Sequence, residues 1–203
     1  MIDRLSEATG RVVSRETLEK VEAYVALLRA ESARQNLIAA STLDELWNRH
    51  IVDSAQLVRF EPYVGASWAD IGSGAGLPGV VIACLVQGPV KMIEPRRLRA
   101  DFLHKVCESL DLNASVFPGK AERAEGEYDV IAARAVANLS KVLEISAHLS
   151  TRKTVWALPK GRSAQAELAE ASRSWHFDAR EEPSCTDPDS TILVLSRVGA
   201  RGQ

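Results

Sequence analysis

The chain has 203 residues, of which 46% are hydrophobic and 26% are charged, the balance of a folded globular protein. This composition excludes a largely disordered chain, and the length is that of one domain with a sizeable core. With 25 basic and 27 acidic residues the net charge is −2, so the total charge gives no indication of a nucleic-acid partner.

Neither a membrane span nor a metal site is expected. The longest apolar run, residues 79–86, is far shorter than the roughly 20 residues that a span needs, and we expect no signal peptide. The three cysteines are isolated, without a CxxC pair or a histidine at ligand spacing. Such usage is typical of a reducing cytoplasm and argues against a disulfide scaffold or a zinc centre.

Residues 1–61 are predicted to form a helical extension. Ser14 is the expected N-cap of a first helix, and Ser41 that of a second, whose apolar stripe runs to Val58. The apolar positions of the first helix recur at spacings of three and four residues: Leu18, Val21, Val25 and Leu28. Residues 34–38 are predicted to form the loop between the two helices.

From residue 62 to residue 203 short apolar runs alternate with helical periods. Strands are predicted at residues 67–71, 90–93, 114–117, 128–132, 154–158 and 191–197, and we consider a short seventh near Phe177. Helices are predicted at residues 78–86, 97–110, 139–149 and 163–175, and residues 181–190 are predicted to form the loop of a terminal hairpin. This alternation predicts a doubly wound α/β sheet, which binds ligands beyond the carboxyl ends of its strands.

A glycine-rich loop between the first predicted strand and the following helix carries the strongest local signal. It contains Gly72, Gly74 and Gly76, preceded by Asp70, and alternating glycines let a ligand approach the backbone closely. The spacing from Gly74 to Gly79 also matches the dinucleotide-binding pattern. The loop thus leaves two candidate ligands, S-adenosylmethionine and a nicotinamide dinucleotide.

Glu94 ends the second predicted strand, where a carboxylate can accept the hydrogen bonds of both ribose hydroxyls. Both classes of ligand use such an acid, so Glu94 does not decide between them. The size of the chain favours a methyltransferase, because a dehydrogenase normally adds a substrate domain to its nucleotide-binding half. A last strand after a hairpin-like loop also fits a seven-stranded methyltransferase sheet.

Several short segments occur in a characteristic order and spacing along most of the chain. They are Asn36-Leu37, Arg49-His50 with Asp53-Ser54, the glycine loop of residues 70–79, Glu94-Pro95, residues 121–123, residues 133–137 and Lys160-Gly161. In these segments the chain resembles the RsmG family, also called GidB, whose members methylate a guanine of small-subunit ribosomal RNA at its seven-position nitrogen.

The resemblance implies a Rossmann-like, S-adenosylmethionine-dependent methyltransferase with a seven-stranded, mostly parallel sheet and a helical N-terminal extension that packs on it as one structural unit. It implies that Gly72 and Leu77 contact the cofactor and that Ala121 and Glu122 lie beside its adenine. It also implies that Arg134 lies at the boundary between the cofactor and the target base. The expected substrate is 16S ribosomal RNA or the small ribosomal subunit, and the expected state is a cytoplasmic monomer.

The chemistry of this reaction asks for no catalytic base. The seven-position nitrogen of guanine carries a free lone pair and no proton, so the main task of the enzyme is to place two reactants in line. No catalytic residue is therefore assigned. The sequence leaves the role of His50 open, and its interpretation as a packed or hydrogen-bonded structural residue stands beside a functional one.

Four basic residues are candidates for contacts with RNA phosphates. Arg96 and Arg97 lie at a helix start, where cations oppose the helix dipole, which indicates a phosphate partner or pairing with Glu94 or Asp101. Lys160 and Arg162 follow the fifth predicted strand on the ligand side of the sheet.

The sequence leaves three other functions open. The first is a methyltransferase that acts on a small molecule or a protein. The second is a module that binds cofactor or RNA without turnover, and the third is an NAD-dependent oxidoreductase.

Overall fold

The computed structural model describes residues 1–39 and 45–202. The predicted N-cap Ser41 and the first turn of the second predicted helix lie outside the described residues. Within the described part, the helices are α1 Ile2–Thr9, α2 Arg15–Gln35, α3 Asp53–Ala55, α4 Gly79–Leu85, α5 Arg97–Ser109, α6 Leu139–Ser146 and α7 Ala164–Ala171. None of these helices combines the length and hydropathy that crossing a membrane requires.

Seven strands of the described part form one sheet. They are β1 Trp68–Ile71, β2 Val90–Ile93, β3 Ala114–Phe117, β4 Tyr128–Ala133, β5 Ser150–Lys160, β6 Trp175–Pro183 and β7 Thr191–Ala200. Their order is β3-β2-β1-β4-β5-β7-β6, and only β7 runs antiparallel to its neighbours β5 and β6. The predicted doubly wound, mostly parallel sheet is confirmed.

Both faces of the central strands are covered, which explains why their sequences are nearly continuous apolar runs. Successive side chains of a strand point to opposite faces. Accordingly, Trp68 of β1 joins the core that contains α2, α4 and α5, whereas Ala69 and Ile71 join the core beneath α6 and α7. The sheet is therefore a middle layer between two hydrophobic cores.

Helix α2 begins as predicted and ends later than predicted. The hydroxyl of Ser14 accepts a hydrogen bond of 3.0 Å from the backbone N–H of Thr17. The helix continues through Gln35, whose side-chain amide donates to the backbone oxygen of Leu98 in α5. Asn36 ends it with a φ of 51°, in the left-handed region that helix ends favour. The prediction that residues 34 and 35 belong to a loop is wrong.

The second predicted helix changes its hydrogen-bonding pattern along the chain. A π-helical turn, Trp47–Val52, leads into α3, and a 3-10 segment, Gln56–Phe60, follows. Short π-helical turns occur often at functional sites. The 3-10 segment contacts strand β5 and helix α4, which places it against the sheet.

The C-terminal half contains more strand than predicted. Strand β5 begins at Ser150 instead of residue 154, and the short strand considered near Phe177 is the nine-residue β6. Helix α6 ends at Ser146 and a 3-10 turn, Ala147–Leu149, follows it. Helix α7 ends at Ala171, before the predicted residue 175.

The N-terminal extension reaches the glycine loop through Tyr24. This residue of α2 is fully buried, and its hydroxyl donates a 2.9 Å hydrogen bond to the backbone oxygen of Ala75. Burial raises the pKa of Tyr24 well above its usual value, so the hydroxyl keeps its proton and remains a donor. A hydrogen bond from the N-terminal extension thus fixes the loop that follows β1.

We expect Tyr24→Phe to lower the free energy of unfolding by about 1–3 kcal/mol, because it leaves the buried Ala75 carbonyl without its donor. Urea denaturation measures the change. Tyr63→Phe is the comparison variant: Tyr63 is 56% exposed, so water replaces the hydrogen bond between its hydroxyl and Asp129, and the loss should stay below about 1 kcal/mol. Equal losses for the two variants would contradict the role given to Tyr24.

Candidate active site

The candidate site lies where the strand order reverses. Strand β1 pairs with both β2 and β4, so the segments that leave β1 and β4 diverge to opposite faces and open a crevice at their carboxyl ends. The glycine loop enters this crevice. Its backbone N–H groups at Gly72 and Ser73 both donate to the oxygen of Ile93, at 2.8 and 3.1 Å, which ties the loop to the end of β2.

Three glycines of this loop have a positive φ, which favours glycine: 69° at Gly72, 56° at Gly74 and 98° at Gly76. At two of them the surrounding space is also too small for a side chain. A Cβ at Gly72 would lie 2.8 Å from a methyl group of Val136, and one at Gly76 would lie 2.6 Å from a methyl group of Val80. In contrast, a Cβ at Gly74 would meet nothing closer than 3.6 Å, so the backbone there is open to an approaching ligand.

Asp70 shapes the loop from inside the protein. It is 1% exposed, and its Oδ2 accepts a 3.0 Å hydrogen bond from the backbone N–H of Gly79 at the start of α4. Burial raises the pKa of Asp70 to about 6, against the opposing effect of the hydrogen bonds from Ser73 and Gly79. Leu77 is also buried, as part of the core beneath the loop.

Glu94 joins the glycine loop to the end of β2. It is 3% exposed, its Oε2 accepts from the backbone N–H of Gly74 at 2.8 Å, and its Oε1 accepts from that of Arg96 at 2.8 Å. Each carboxylate oxygen has two lone pairs, so both oxygens keep capacity for a further donor. Glu94 thus lies beside the glycine loop, at the end of β2, where the sequence predicts a carboxylate that binds the ribose hydroxyls.

A small cavity of about 160 Å³ opens beside Gly72, between the ends of β1 and β2. The two residues predicted to lie beside an adenine, Ala121 and Glu122, are part of its lining. The apolar side chains of its wall are Ile71, Ile93, Pro95, Val136 and Ile145. Apolar walls with a few polar groups are typical of sites that bind a planar heterocycle.

Arg134 follows the last residue of β4 and turns towards the N-terminal extension. Its Nη1 donates to Asp53 Oδ2 at 2.9 Å and to the backbone oxygen of Arg49 at 3.3 Å. Both side chains of the Arg134–Asp53 ion pair are 17% exposed. The next residue, Ala135, has a φ of 55°, a conformation that costs energy for any residue with a Cβ and is common near functional sites.

His50 is hydrogen-bonded to the same arginine. Its Nδ1 lies 3.2 Å from Arg134 Nη2, and because a guanidinium only donates, Nδ1 is assigned as the acceptor and the proton of the neutral ring to Nε2. Burial, and then the charge of Arg134, lower the pKa of His50 to about 4. His50 is thus neutral at pH 7, in agreement with its interpretation as a hydrogen-bonded structural residue.

A cleft lies beside Arg134, and no residue of the glycine loop is in its lining. It consists of two adjoining cavities of about 290 and 600 Å³, which share Asp53, Arg134, Ala135 and Ser190 in their linings. The end of β5, the extension and residues 184–190 between β6 and β7 complete its walls. Sequence reasoning did not find Gln56, Thr186 or Ser190 in this cleft, since no local motif marks them.

The four basic residues predicted to contact RNA differ in their surroundings. Arg162 is 83% exposed and pairs with Asp189, and Arg97 is 92% exposed and lies 3.9 Å from Asp101, the pairing considered as an alternative. Arg96 is exposed as well. Their charged groups are therefore accessible to a phosphate.

Lys160 requires a correction. Its Nζ lies 2.8 Å from Glu167 Oε2 and donates to the backbone oxygen of Ala137 at 2.9 Å, and its side chain is only 10% exposed. Glu167 also accepts from the backbone N–H of Leu139, so this ion pair links β5 to α6 and α7. The ammonium group faces inward, and the predicted contact with an RNA phosphate is not supported for Lys160.

Among residues 1–39 and 45–202, no three His, Cys, Asp or Glu side chains converge in an arrangement that could hold a metal ion.

Comparison with solved structures shows the fold. A SAM-dependent methyltransferase from Aquifex aeolicus superposes with a TM-score of 0.60 at 15% identity, covering 81% of this chain and 96% of that chain. A mutant of MtNAS solved in complex with S-adenosylmethionine gives a TM-score of 0.59 at 18% identity, covering 88% and 74%. The predicted Rossmann-like methyltransferase fold is confirmed.

Sequence comparisons are more specific. A protein of Zymomonas mobilis named ribosomal RNA small subunit methyltransferase G is 43% identical over 200 residues, covering 94% of this chain and 90% of the relative. A protein of the same name from Rhizorhabdus wittichii is 46% identical over 202 residues, covering 96% and 91%. Residues 17–191 match the family model described as rRNA small subunit methyltransferase G. The chain therefore belongs to the GidB family of small-subunit ribosomal RNA methyltransferases.

Proposed function

We propose that this chain transfers the methyl group of S-adenosylmethionine to the seven-position nitrogen of a guanine in 16S ribosomal RNA. The observation that carries the proposal is the match over nearly the whole chain to relatives named ribosomal RNA small subunit methyltransferase G. The site geometry supports it, because the segment after β4 borders both cavities: Val136 lines the one beside the glycine loop, and Arg134 and Ala135 line the cleft.

The residues of the crevice fit S-adenosylmethionine. A Cβ at Gly72 or Gly76 would collide with Val136 or Val80, so glycine is needed to keep the loop in this shape, whereas a Cβ at Gly74 would have room. We assign Gly72, Gly74, Gly76 and Leu77 to the loop that binds the cofactor. Asp70 is assigned to holding this loop in place through its hydrogen bond with the backbone N–H of Gly79. Glu94 is assigned to the ribose. Ala121 and Glu122 are assigned to the adenine, in the cavity that they line.

The reaction requires the protein to position the guanine against the methyl group, and no proton has to be removed from the acceptor nitrogen. When bound, the cofactor supplies a methyl group on a positively charged sulfur. The acceptor nitrogen of guanine has an in-plane lone pair and no proton, so holding the base in line and excluding water are the main contributions of the protein. Arg134, at the boundary between crevice and cleft, is assigned to the orientation of the acceptor.

The expected substrate is a guanine that is not stacked in a regular helix. The major groove of A-form RNA is deep and narrow, so the seven-position nitrogen is accessible mainly in loops or unstacked nucleotides. We propose that Arg96, Arg97 and Arg162 contact phosphates around such a loop. We propose that the enzyme works in the cytoplasm, where ribosomal RNA is found. We also propose that it acts as a monomer in which residues 1–61 and 62–203 form one unit.

The proposed function is tested by incubating the protein with small ribosomal subunits and labelled S-adenosylmethionine, followed by mass mapping of the RNA. We expect one 7-methylguanine. The single-turnover rate should change less than about twofold between pH 7 and 9, because His50, with a pKa of about 4, stays neutral and Asp70, with a pKa of about 6, stays ionised.

Other outcomes would separate the alternatives. Binding of S-adenosylhomocysteine without methyl transfer to any substrate would favour a non-catalytic module, and methylation of a small molecule or protein alone would favour a different methyltransferase. Binding of NAD in place of S-adenosylhomocysteine would indicate an oxidoreductase.

We expect Glu94→Gln to weaken the binding of S-adenosylhomocysteine about tenfold or more, measured by calorimetry. The carboxamide replaces one acceptor oxygen by a donor, which then faces the backbone N–H groups or the ribose hydroxyls. Glu127→Gln, at an exposed position, is the control and should bind as the wild type does. An unchanged Kd for Glu94→Gln would remove Glu94 from the ribose site.

Arg162→Ala and Lys160→Ala are expected to have different effects. Arg162→Ala should reduce the slope of log affinity for RNA against log salt concentration by about one, without a change in Tm. Lys160→Ala should lower the free energy of unfolding by about 3 kcal/mol, because Glu167 keeps its charge and loses its partner. Arg15→Ala, an 89% exposed position in α2, is the control for both measurements. A lower RNA affinity of Lys160→Ala at unchanged stability would restore its predicted role.

A further inference from the structure

The loop of residues 184–190, between β6 and β7, is attached to the N-terminal extension by two side chains. Asp53 and Gln56 lie three positions apart in the helical segment that precedes β1. They contact three consecutive residues of the loop, Ser184, Cys185 and Thr186, which are about 130 positions away in sequence. We call these two side chains the clamp.

Gln56 forms the inner half of the clamp. It is 1% exposed, its Oε1 accepts a 2.9 Å hydrogen bond from the backbone N–H of Cys185, and its Nε2 lies 3.2 Å from Ser184 Oγ. The same Nε2 donates to Asp53 Oδ1 at 2.9 Å. The amide therefore connects the backbone of the loop to the carboxylate of Asp53.

Asp53 forms the outer half and has partners on both sides of the cleft. Its Oδ1 accepts from the hydroxyl of Thr186 at 2.9 Å, and its Oδ2 accepts from Arg134 Nη1 at 2.9 Å. Hydrogen bonds to a charged group are stronger and shorter than those between neutral groups. One carboxylate thus fixes the loop relative to the arginine that follows β4.

The groups held by the clamp are those that border the cleft. Arg134 and Ala135 border it at the end of β4, and Ser184, Thr186 and Ser190 border it from the loop. Polar hydroxyls and a guanidinium on the walls of a cleft suit the polar edges of a nucleobase. The width of the cleft depends on the position of the loop, and that position depends on Asp53 and Gln56.

We propose that Asp53 is the positioning residue for the acceptor nucleotide, because its carboxylate holds both Thr186 and Arg134, which line the cleft proposed for the base. This inference rests on the proposed function and deepens it. Asp53 acts through its two partners and not on the reacting atoms. Since a displacement of about 1 Å can reduce a rate about 100-fold, a fixed cleft matters more for the chemical step than for overall RNA affinity.

The test compares Thr186→Val, which keeps the shape of the side chain and removes its hydroxyl, with Thr186→Ser, which keeps the hydroxyl. We expect Thr186→Val to lower kcat for methylation of small ribosomal subunits about tenfold, which corresponds to about 1.4 kcal/mol. KM for the subunits and the Kd for S-adenosylhomocysteine should change less than about threefold, because remote phosphates and the crevice are unaltered. Thr186→Ser should restore most of kcat.

Two further measurements separate positioning from general destabilisation. Deuterium exchange of residues 184–190 should increase in Thr186→Val while Tm stays the same. Thr151→Val, a half-buried threonine at the other end of β5, is the control. Its hydroxyl accepts a hydrogen bond from the backbone N–H of Lys153 within β5, so kcat and the exchange of residues 184–190 should match the wild type even if Tm falls slightly. Asp53→Asn, which weakens the ion pair with Arg134, should lower kcat at least as much as Thr186→Val.

The outcomes distinguish the clamp from the proposed function. Unchanged kcat in Thr186→Val, equal losses in Thr186→Val and Thr186→Ser, or a matching loss of S-adenosylhomocysteine affinity would overturn the role of Asp53 while the proposed function stands. A wild-type protein that binds S-adenosylhomocysteine and methylates no RNA would overturn the proposed function, and the acceptor role of Asp53 with it.

Discussion

The reversal of strand order between β1 and β4 is the constraint on which the site depends. Because these parallel neighbours send their following segments to opposite faces of the sheet, the space at their carboxyl ends is left open. The glycine loop occupies one side of this space and Arg134 the other. The loop itself is held by backbone hydrogen bonds to Ile93 and by the carboxylates of Asp70 and Glu94.

The N-terminal extension completes both sides of the site. Tyr24 donates to the backbone of the glycine loop at Ala75, and Asp53 pairs with Arg134 and with the loop between β6 and β7. The extension thereby adds a second, polar cleft, the one that we propose for the acceptor, to the crevice that we propose for the cofactor. Neither contact belongs to the sheet, so the extension can differ between proteins that share this sheet.

Local signals in the sequence were sufficient for the glycine loop and for the central strands. Strands such as β1 are buried on both faces and therefore apolar throughout, and the glycines mark positions with positive φ. In contrast, β6 is mostly exposed and rich in charged residues, so only its neighbourhood around Phe177 resembled a strand. The partners of Lys160 and Asp53 come from tertiary packing, and spacing along the chain does not reveal them.

The two edges of the sheet are protected in different ways. At one edge β3 has only four residues, which offers little backbone for pairing. At the other, β6 is long but carries Asp178, Arg180, Glu181 and Glu182 in succession around Ala179. Burying such charges against another strand is costly, so both edges discourage edge-to-edge aggregation of newly made or crowded chains. The charges of β6 therefore allow a nine-residue strand to stay exposed at the edge of the sheet without pairing with another molecule.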